Sequence, residues 1–216
     1  GGEEPLDFVV YILTGPGEWT LSFGGHTVVI RGVESITDLL SSTEHHFNYS
    51  NAADQLTLSG SDNSDLISPL LQIESAGTAP AVTFAMPTWA ISISTNGGND
   101  HLRIADSVPD TGVWIHAEGG AGDDWFQGGI SSEGLSGSEG NDTLLGGGGN
   151  DSLSGGDGND KLFGQEDDDC FFADRGNDAI DGGQDRDYLL AGGDANFTLT
   201  NSTLSDGNRQ ISGHDQ

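Results

Sequence analysis

Eight consecutive units of nine residues run without a gap from Gly119 to Leu190. The eighth position of every unit is apolar: Phe126, Leu135, Leu144, Leu153, Leu162, Phe171, Ile180 and Leu189. The sixth is always a carboxylate (Asp124, Glu133, Asp142, Asp151, Asp160, Asp169, Asp178, Asp187), and glycine fills most of the first, second and fourth positions. At a hydrophobic content of 33%, eight independent positions would all be apolar roughly once in several thousand draws. One spacing satisfies the carboxylates and glycines as well, so a disordered linker is a poor reading of this tract. An internal repeat of this length predicts a quasi-one-dimensional stack in which each unit packs on its neighbours.

Composition narrows the alternatives. Thirty-five glycines in 216 residues, with so few apolar side chains, suit a thin solenoid better than a thick globular core. Acidic residues outnumber basic ones 35 to 6, and the formal charge of −29 drives a compact chain apart unless cations are bound. The same excess argues against nucleic acid as a partner and against a direct grip on anionic lipid. A lone cysteine, Cys170, allows no internal disulfide and no zinc site of the multiple-cysteine type. Apolar stretches such as Phe8–Leu13 are too short to span a bilayer, and the N-terminus lacks the regions of a signal peptide. Beginning at Gly1 and breaking off in polar sequence, the chain reads as a fragment or processed piece of something longer.

Four segments are expected. Residues 1–46 form a β-rich cap or the start of the solenoid, with strand signals at Phe8–Leu13, Trp19–Phe23 and Thr27–Ile30 and one helical turn at Ser35–Leu40. Residues 47–118 form an irregular β-solenoid whose strands lie at Leu56–Leu58, Val82–Phe84, Ala90–Ser94, Leu102–Ile104 and Val113–Ala117. Here Asp54 and Asp100 each stand two residues before an apolar strand position, an echo of the repeats, and Asp100 follows Gly97-Gly98-Asn99. Residues 119–190 are the regular stack. Residues 191–216 are a degenerate repeat with a strand pair at Phe197–Leu204. His45-His46 reads as a polar loop, and Glu166 to Asp169 as a solvated acidic face. No long amphipathic helix is present, so the chain is all-β.

Gly119-Gly120-Ala121-Gly122-Asp123-Asp124-Trp125-Phe126-Gln127 and Gly155-Gly156-Asp157-Gly158-Asn159-Asp160-Lys161-Leu162-Phe163 both fit GGxGxDxUx. This pattern resembles the repeats-in-toxin (RTX) nonapeptide and covers 72 of the 216 residues. The resemblance implies a right-handed parallel β-solenoid passing into an RTX calcium β-roll, with calcium-driven folding, usually after export. Elementary chemistry agrees with it. Glycines let main-chain carbonyls converge, and calcium takes about six to eight oxygens at about 2.3–2.6 Å, which carbonyls and one carboxylate per turn can supply.

Two nonapeptides per coil would stack units 18 residues apart in two columns. The first starts at Gly119, Gly137, Gly155 and Ala173 and keeps glycine at its fourth positions; the second starts at Gly128, Gly146, Gly164 and Gly182 and does not. Carried over from the family, calcium lies between stacked turns and each aspartate is shared by the ions above and below. One implied site combines Gly120, Gly122 and Asp124 with Gly137, Glu139 and Asp142. The best combines Ser138, Gly140 and Asp142 with Gly155, Asp157 and Asp160, and a third Gly156, Gly158 and Asp160 with Ala173, Arg175 and Asp178. In the second column the implied ligands are Gly147, Gly149 and Asp151, then Gly164, Glu166 and Asp169, then Gly182 and Asp187. All but the position-six aspartates act through carbonyls.

Residues 119–190 hold 17 acidic and 3 basic residues, a net of −14; about four to six calcium ions are expected, and filling all the inter-turn gaps of both columns with about six would nearly cancel that charge. Metal removal should therefore unfold the segment. Neither H-E-x-x-H nor G-x-S-x-G occurs, so no enzyme is expected in this chain. The loose-to-regular solenoid resembles segments of giant bacterial surface proteins, which implies an extracellular, secreted or cell-surface calcium-binding module with a structural or adhesive role. Its expected partners are calcium, further copies of itself in a filament, or other matrix components. The calcium-folding secretion module of an exported protease or lipase is the alternative.

Overall fold

The computed structural model describes residues 6–199 apart from 16–17, 24–25, 32–34, 39–41, 50–51, 61–69, 76–80 and 192–194; every regular element described is a β-strand. Strands β1 (Leu6–Gly15), β2 (Glu18–Phe23) and β3 (His26–Arg31) form an antiparallel meander. Ser35–Asp38, where a helical turn was expected, is strand β4. β-Branched Ile36 and Thr37 suit it to the parallel pairing it makes with Val82 and Thr83. Next come β5 (Ser42–Asn48) and β6 (Gln55–Gly60), then an excursion through β7 (Leu70–Ser75) and β8 (Ala81–Ala85), which pair antiparallel to β6 and to each other. Sequence reading had placed no strand at Leu70–Ser75.

From β9 (Ala90–Ser94) and β10 (His101–Ile104) onward the chain alternates between two sheets. Strands β11 (Trp114–Ala121), β13 (Glu133–Glu139), β15 (Ser152–Asp157), β17 (Cys170–Ala173) and β19 (Tyr188–Ala191) extend one sheet in parallel. The other sheet takes β12 (Trp125–Gln127), β14 (Thr143–Gly147), β16 (Lys161–Gln165), β18 (Gly176–Gly183) and β20 (Ala195–Leu199). β20 covers the start of the predicted Phe197–Leu204 pair; residues 200–204 lie outside the described residues. In-register neighbours are 18 residues apart from β11 to β19, 19 apart between β18 and β20, 24 apart between the Asp100 and Asp124 rungs and 46 between Asp54 and Asp100.

The core follows from strand alternation, since only every second side chain can face the gap between the sheets. One file runs Phe47, Ile93, Ala117, Leu135, Leu153, Phe171; the other runs Leu56, Leu102, Phe126, Leu144, Leu162, Ile180. All twelve are buried, whereas Leu189 at the end of the first file is partly covered. His45 shares this inward face in β5, so the polar-loop reading is corrected. It is fully buried, with its ring 4.7 Å from that of Phe84 and stacked at 6.3 Å on Phe47. The excursion widens the core locally with Leu71, Ile73, Val82 and Phe84.

Candidate metal centre

The turns starting at Gly119, Gly137 and Gly155 are shaped by glycines at positions one and four. At position four, Gly122, Gly140, Gly158 and Gly176 have φ of 137–152°, a region closed to most side chains. A Cβ on Gly140, Gly158 or Gly176 would also strike the carbonyl oxygen of the equivalent glycine one turn earlier. At position one the constraint is room rather than torsion. A Cβ on Gly119, Gly137 or Gly155 would collide with Oδ2 of Asp124, Asp142 or Asp160, and Gly146, Gly164 and Gly182 bear the same relation to Asp151, Asp169 and Asp187.

Those carboxylates form two ladders. In the first, the N–H groups of Asp124, Asp142 and Asp160 donate to Oδ1 of Asp142, Asp160 and Asp178 at 2.8, 2.9 and 3.1 Å. In the second, Glu133, Asp151 and Asp169 donate to Asp151, Asp169 and Asp187 at 2.8, 2.8 and 3.1 Å. Oδ1 is thereby satisfied by the main chain. The other oxygen is not: Oδ2 of all seven aspartates and Oε1 of Glu133 are buried with no hydrogen-bond partner. Unpaired buried carboxylate oxygens are costly and call for a cation or a proton.

Their acidities report the same tension. Burial, the dominant cause, raises Asp124 and Asp142 to about 6, Asp160 and Asp169 to about 7, Glu133 to about 8 and Asp151 to about 9, and neighbouring carboxylates push the same way. Burial also raises Asp178 and Asp187. The ladder N–H groups oppose the shift in each aspartate, and the Gly129 N–H opposes it in Glu133.

Main-chain oxygens complete the donor set. The N–H groups of Gly122, Gly140 and Gly158 donate to the carbonyls of Glu139, Asp157 and Arg175 at 2.8–2.9 Å, bringing positions two to four of one turn against one to three of the next. The sets Gly120/Gly122/Asp124 with Gly137/Glu139/Asp142, and Ser138/Gly140/Asp142 with Gly155/Asp157/Asp160, are thus neighbours, as are Gly156/Gly158/Asp160 with Ala173/Arg175/Asp178. Among the described residues no three His, Cys, Asp or Glu side chains converge on one point. An ion here would be held by shared carboxylates and carbonyls, a hard-oxygen set that fits calcium.

The family model for the RTX calcium-binding nonapeptide repeat matches four copies within residues 116–133, 136–170 and 163–197. Residues 116–197 are RTX repeats. Neither a curated protein nor a solved structure gives a significant match. RTX repeats bind calcium and form β-rolls, and the paired parallel sheets here are such a roll.

Within the RTX segment the second column departs from the first. The Gly149 N–H donates to Oδ2 of Asp167 at 3.0 Å rather than to a carbonyl, although the Glu166 N–H still reaches the Gly147 carbonyl at 3.0 Å. Asp167 and Asp185 replace glycine at position four with φ of 71° and 64°. Glu133, one methylene longer, turns Oε2 back onto the Gly129 N–H at 3.0 Å. Of the acidic run, Glu166, Asp167 and Asp168 are exposed as expected, while Asp169 is a buried ladder member.

A further ladder escaped sequence reading. At position five, Oδ1 of Asp123, Asn141 and Asn159 accepts the N–H of Asn141, Asn159 and Asn177 at 2.8–3.1 Å, opposite in direction to the position-six ladder. The Asn or Asp just before every first-column aspartate (Asp123, Asn141, Asn159 and Asn177) is the signal for it. Asp54 and Asp100, noted as echoes, also have a buried unpartnered Oδ2.

Proposed function

We propose that this chain is an extracellular calcium-binding structural or adhesive module whose β-roll folds and stiffens as calcium fills the gaps between turns, with no catalytic step of its own. One observation carries this reading: buried carboxylates, one per turn, bare at one oxygen and held at the other, the aspartates by the neighbouring turn and Glu133 by its own. Bound calcium supplies the positive charge that lets these groups stay ionised in the interior. The chain's part is positional. Position-one glycines leave room for Oδ2, position-four glycines of the first column turn carbonyls toward the gap, and the ladder N–H groups fix each carboxylate. About four to six ions follow from the inter-turn gaps, those of the second column being altered by Asp167, Asp185 and Glu133.

An extracellular setting is supported by the repeats, which are typical of secreted bacterial proteins, and by the scarcity of free calcium inside cells. No helix among the described residues is long and apolar enough to cross a membrane. The adhesive half draws on exposed Trp89, Trp114 and Tyr188, side chains suited to lateral contacts between copies or with other matrix components. Circular dichroism of the whole chain, in millimolar calcium and after excess chelator, tests the folding claim. The β signal is expected to collapse on chelation and return with calcium; a signal indifferent to both overturns the reading. Light scattering against calcium concentration tests self-association, which a monomer at every concentration would exclude.

A further inference from the structure

The first ladder extends beyond the matched repeats toward the N-terminus. Asp100 is 2% exposed; its Oδ1 accepts the Asp54 N–H at 2.7 Å, and its own N–H donates to Oδ1 of Asp124 at 2.8 Å. Oδ2 of both Asp100 and Asp124 is buried without a hydrogen-bond partner, the Thr95 hydroxyl lying beside the Asp100 carboxyl but directed at the Gly119 carbonyl. Residues 95–100 read Thr-Asn-Gly-Gly-Asn-Asp, departing from GGxGxD at the first two positions, and 24 residues rather than 18 separate this turn from the next.

Despite those departures the backbone repeats the roll's geometry. Asn96 has φ of 68° where Gly120, Ser138 and Gly156 have 83–99°, and Gly98 has φ of 115°; asparagine is among the few side chains that tolerate the first of these. The Gly98 N–H donates to the Ala121 carbonyl at 2.8 Å, as Gly122 does to Glu139, and the Ala121 N–H returns to the Asn96 carbonyl at 3.0 Å. A Cβ on Gly122 would strike the Gly98 oxygen just as one on Gly140 would strike that of Gly122. Asn99 begins the position-five ladder by accepting the Asp123 N–H at 3.1 Å. Thr95, standing where the repeats have glycine, donates its hydroxyl to the Gly119 carbonyl at 2.9 Å.

We infer that a further calcium site lies between the turns at 95–100 and 119–124, held by the carboxylates of Asp100 and Asp124 and the carbonyls of Asn96, Gly98, Gly119 and Ala121. The inference rests on the calcium reading of the repeats and adds a site outside the matched segment. Six protein oxygens meet the lower bound of calcium's demand. The ion would clamp the 24-residue coil onto the roll, so calcium-dependent order would reach back through β10 to Asp100.

Native mass spectrometry of the whole chain in calcium counts the ions. Asp100→Asn is expected to carry at least one ion fewer than wild type, while Asp106→Asn, which removes an exposed charge on the adjoining loop, carries the same number. Asp142→Asn reports on the repeats themselves. If it loses ions and Asp100→Asn loses none, this inference falls and the repeat reading stands; if wild type binds no calcium, the repeat reading falls. Should Asp100→Asn not fold, anomalous diffraction from wild-type crystals grown with terbium decides: a peak between Asp100 and Asp124 supports the site, and peaks confined to residues 119–190 overturn it.

Discussion

The two columns of turns occupy the same coils, yet they are built to different tolerances. The first carries carboxylates at 54, 100, 124, 142, 160 and 178, and position-four glycines from Gly98 to Gly176. The second begins only at Glu133, because Ile115 occupies the preceding rung, and it admits Ser131, Asp167 and Asp185 at position four. Both keep the position-six ladder; the position-one glycine is kept throughout the second but gives way to Thr95 and Ala173 in the first. The difference teaches that stacking requires position six, whereas position four governs how carbonyls are presented. At Asp167 the side chain takes over the hydrogen bond that a carbonyl accepts in the first column.

The sharpest way to break this contrast is through glycine. Gly140→Ala combines a forbidden torsion with a collision against the Gly122 carbonyl, and it should destabilise the calcium-loaded roll by more than about 3 kcal/mol. In the second column Gly148→Ala meets nothing nearer than 3.7 Å and should stay within about 0.5 kcal/mol. Urea unfolding in saturating calcium measures both; equal losses would refute the distinction.

Next in size is the loss of a shared carboxylate. Asp142→Asn weakens two gaps and should raise the calcium midpoint roughly tenfold or more, a change of about 1.4 kcal/mol. Asp187→Asn, at the last rung of its ladder, should produce a smaller shift, read by titration calorimetry.

A third comparison uses pH on the calcium-free chain. These carboxyls have folded-state values above the ordinary carboxylate range, so the folded form binds more protons than the unfolded one. Their stabilising contribution is complete below about 4 and is lost as pH rises through the folded values. That window closes near 6 to 7 for Asp124, Asp142 and Asp160 but extends to about 8 for Glu133 and about 9 for Asp151. Lowering pH from 8 to 5 should therefore restore β signal without metal, and Asp151→Asn should flatten the response above pH 7. A calcium-free chain equally unfolded at both pH values would contradict this.

The smallest expected effect concerns position five. Asn159→Ala removes the acceptor for the Asn177 N–H at 2.9 Å and for its side-chain amide at 3.0 Å, and should cost about 0.5–1.5 kcal/mol. Asn150→Ala removes a single 3.3 Å bond from Asp168 and should fall at or below the lower end.

The roll was legible because its constraints are local and periodic: an inward side chain every nine residues and a carboxylate two places earlier need no knowledge of the partner strand. Position-five asparagines were passed over because they are exposed, and polarity alone conceals what they bond. His45 and β7 were misread or missed for another reason. Both depend on the excursion between Gly60 and Ala90, which brings Phe84 against a histidine that composition alone would leave in water. Ser35–Asp38 likewise owes its strand to Ala81–Phe84, more than forty residues away. The echoes at Asp54 and Asp100 were visible, but their place in the ladder was hidden by coils of unequal length.

Those unequal lengths mean that contour length and axial rise are decoupled in this molecule. Coils of 46, 24 and 18 residues each advance the stack by one strand spacing; the surplus of the longest goes into β7 and β8, which add to the sheet beyond β6, and that of the 24-residue coil into the connection between β10 and β11. A foreign segment grafted at the exposed stretch 110–112 should therefore leave the pitch untouched, since closing a longer loop grows costlier only with the logarithm of its length. The roll would serve as a ruler on which cargo hangs at fixed heights.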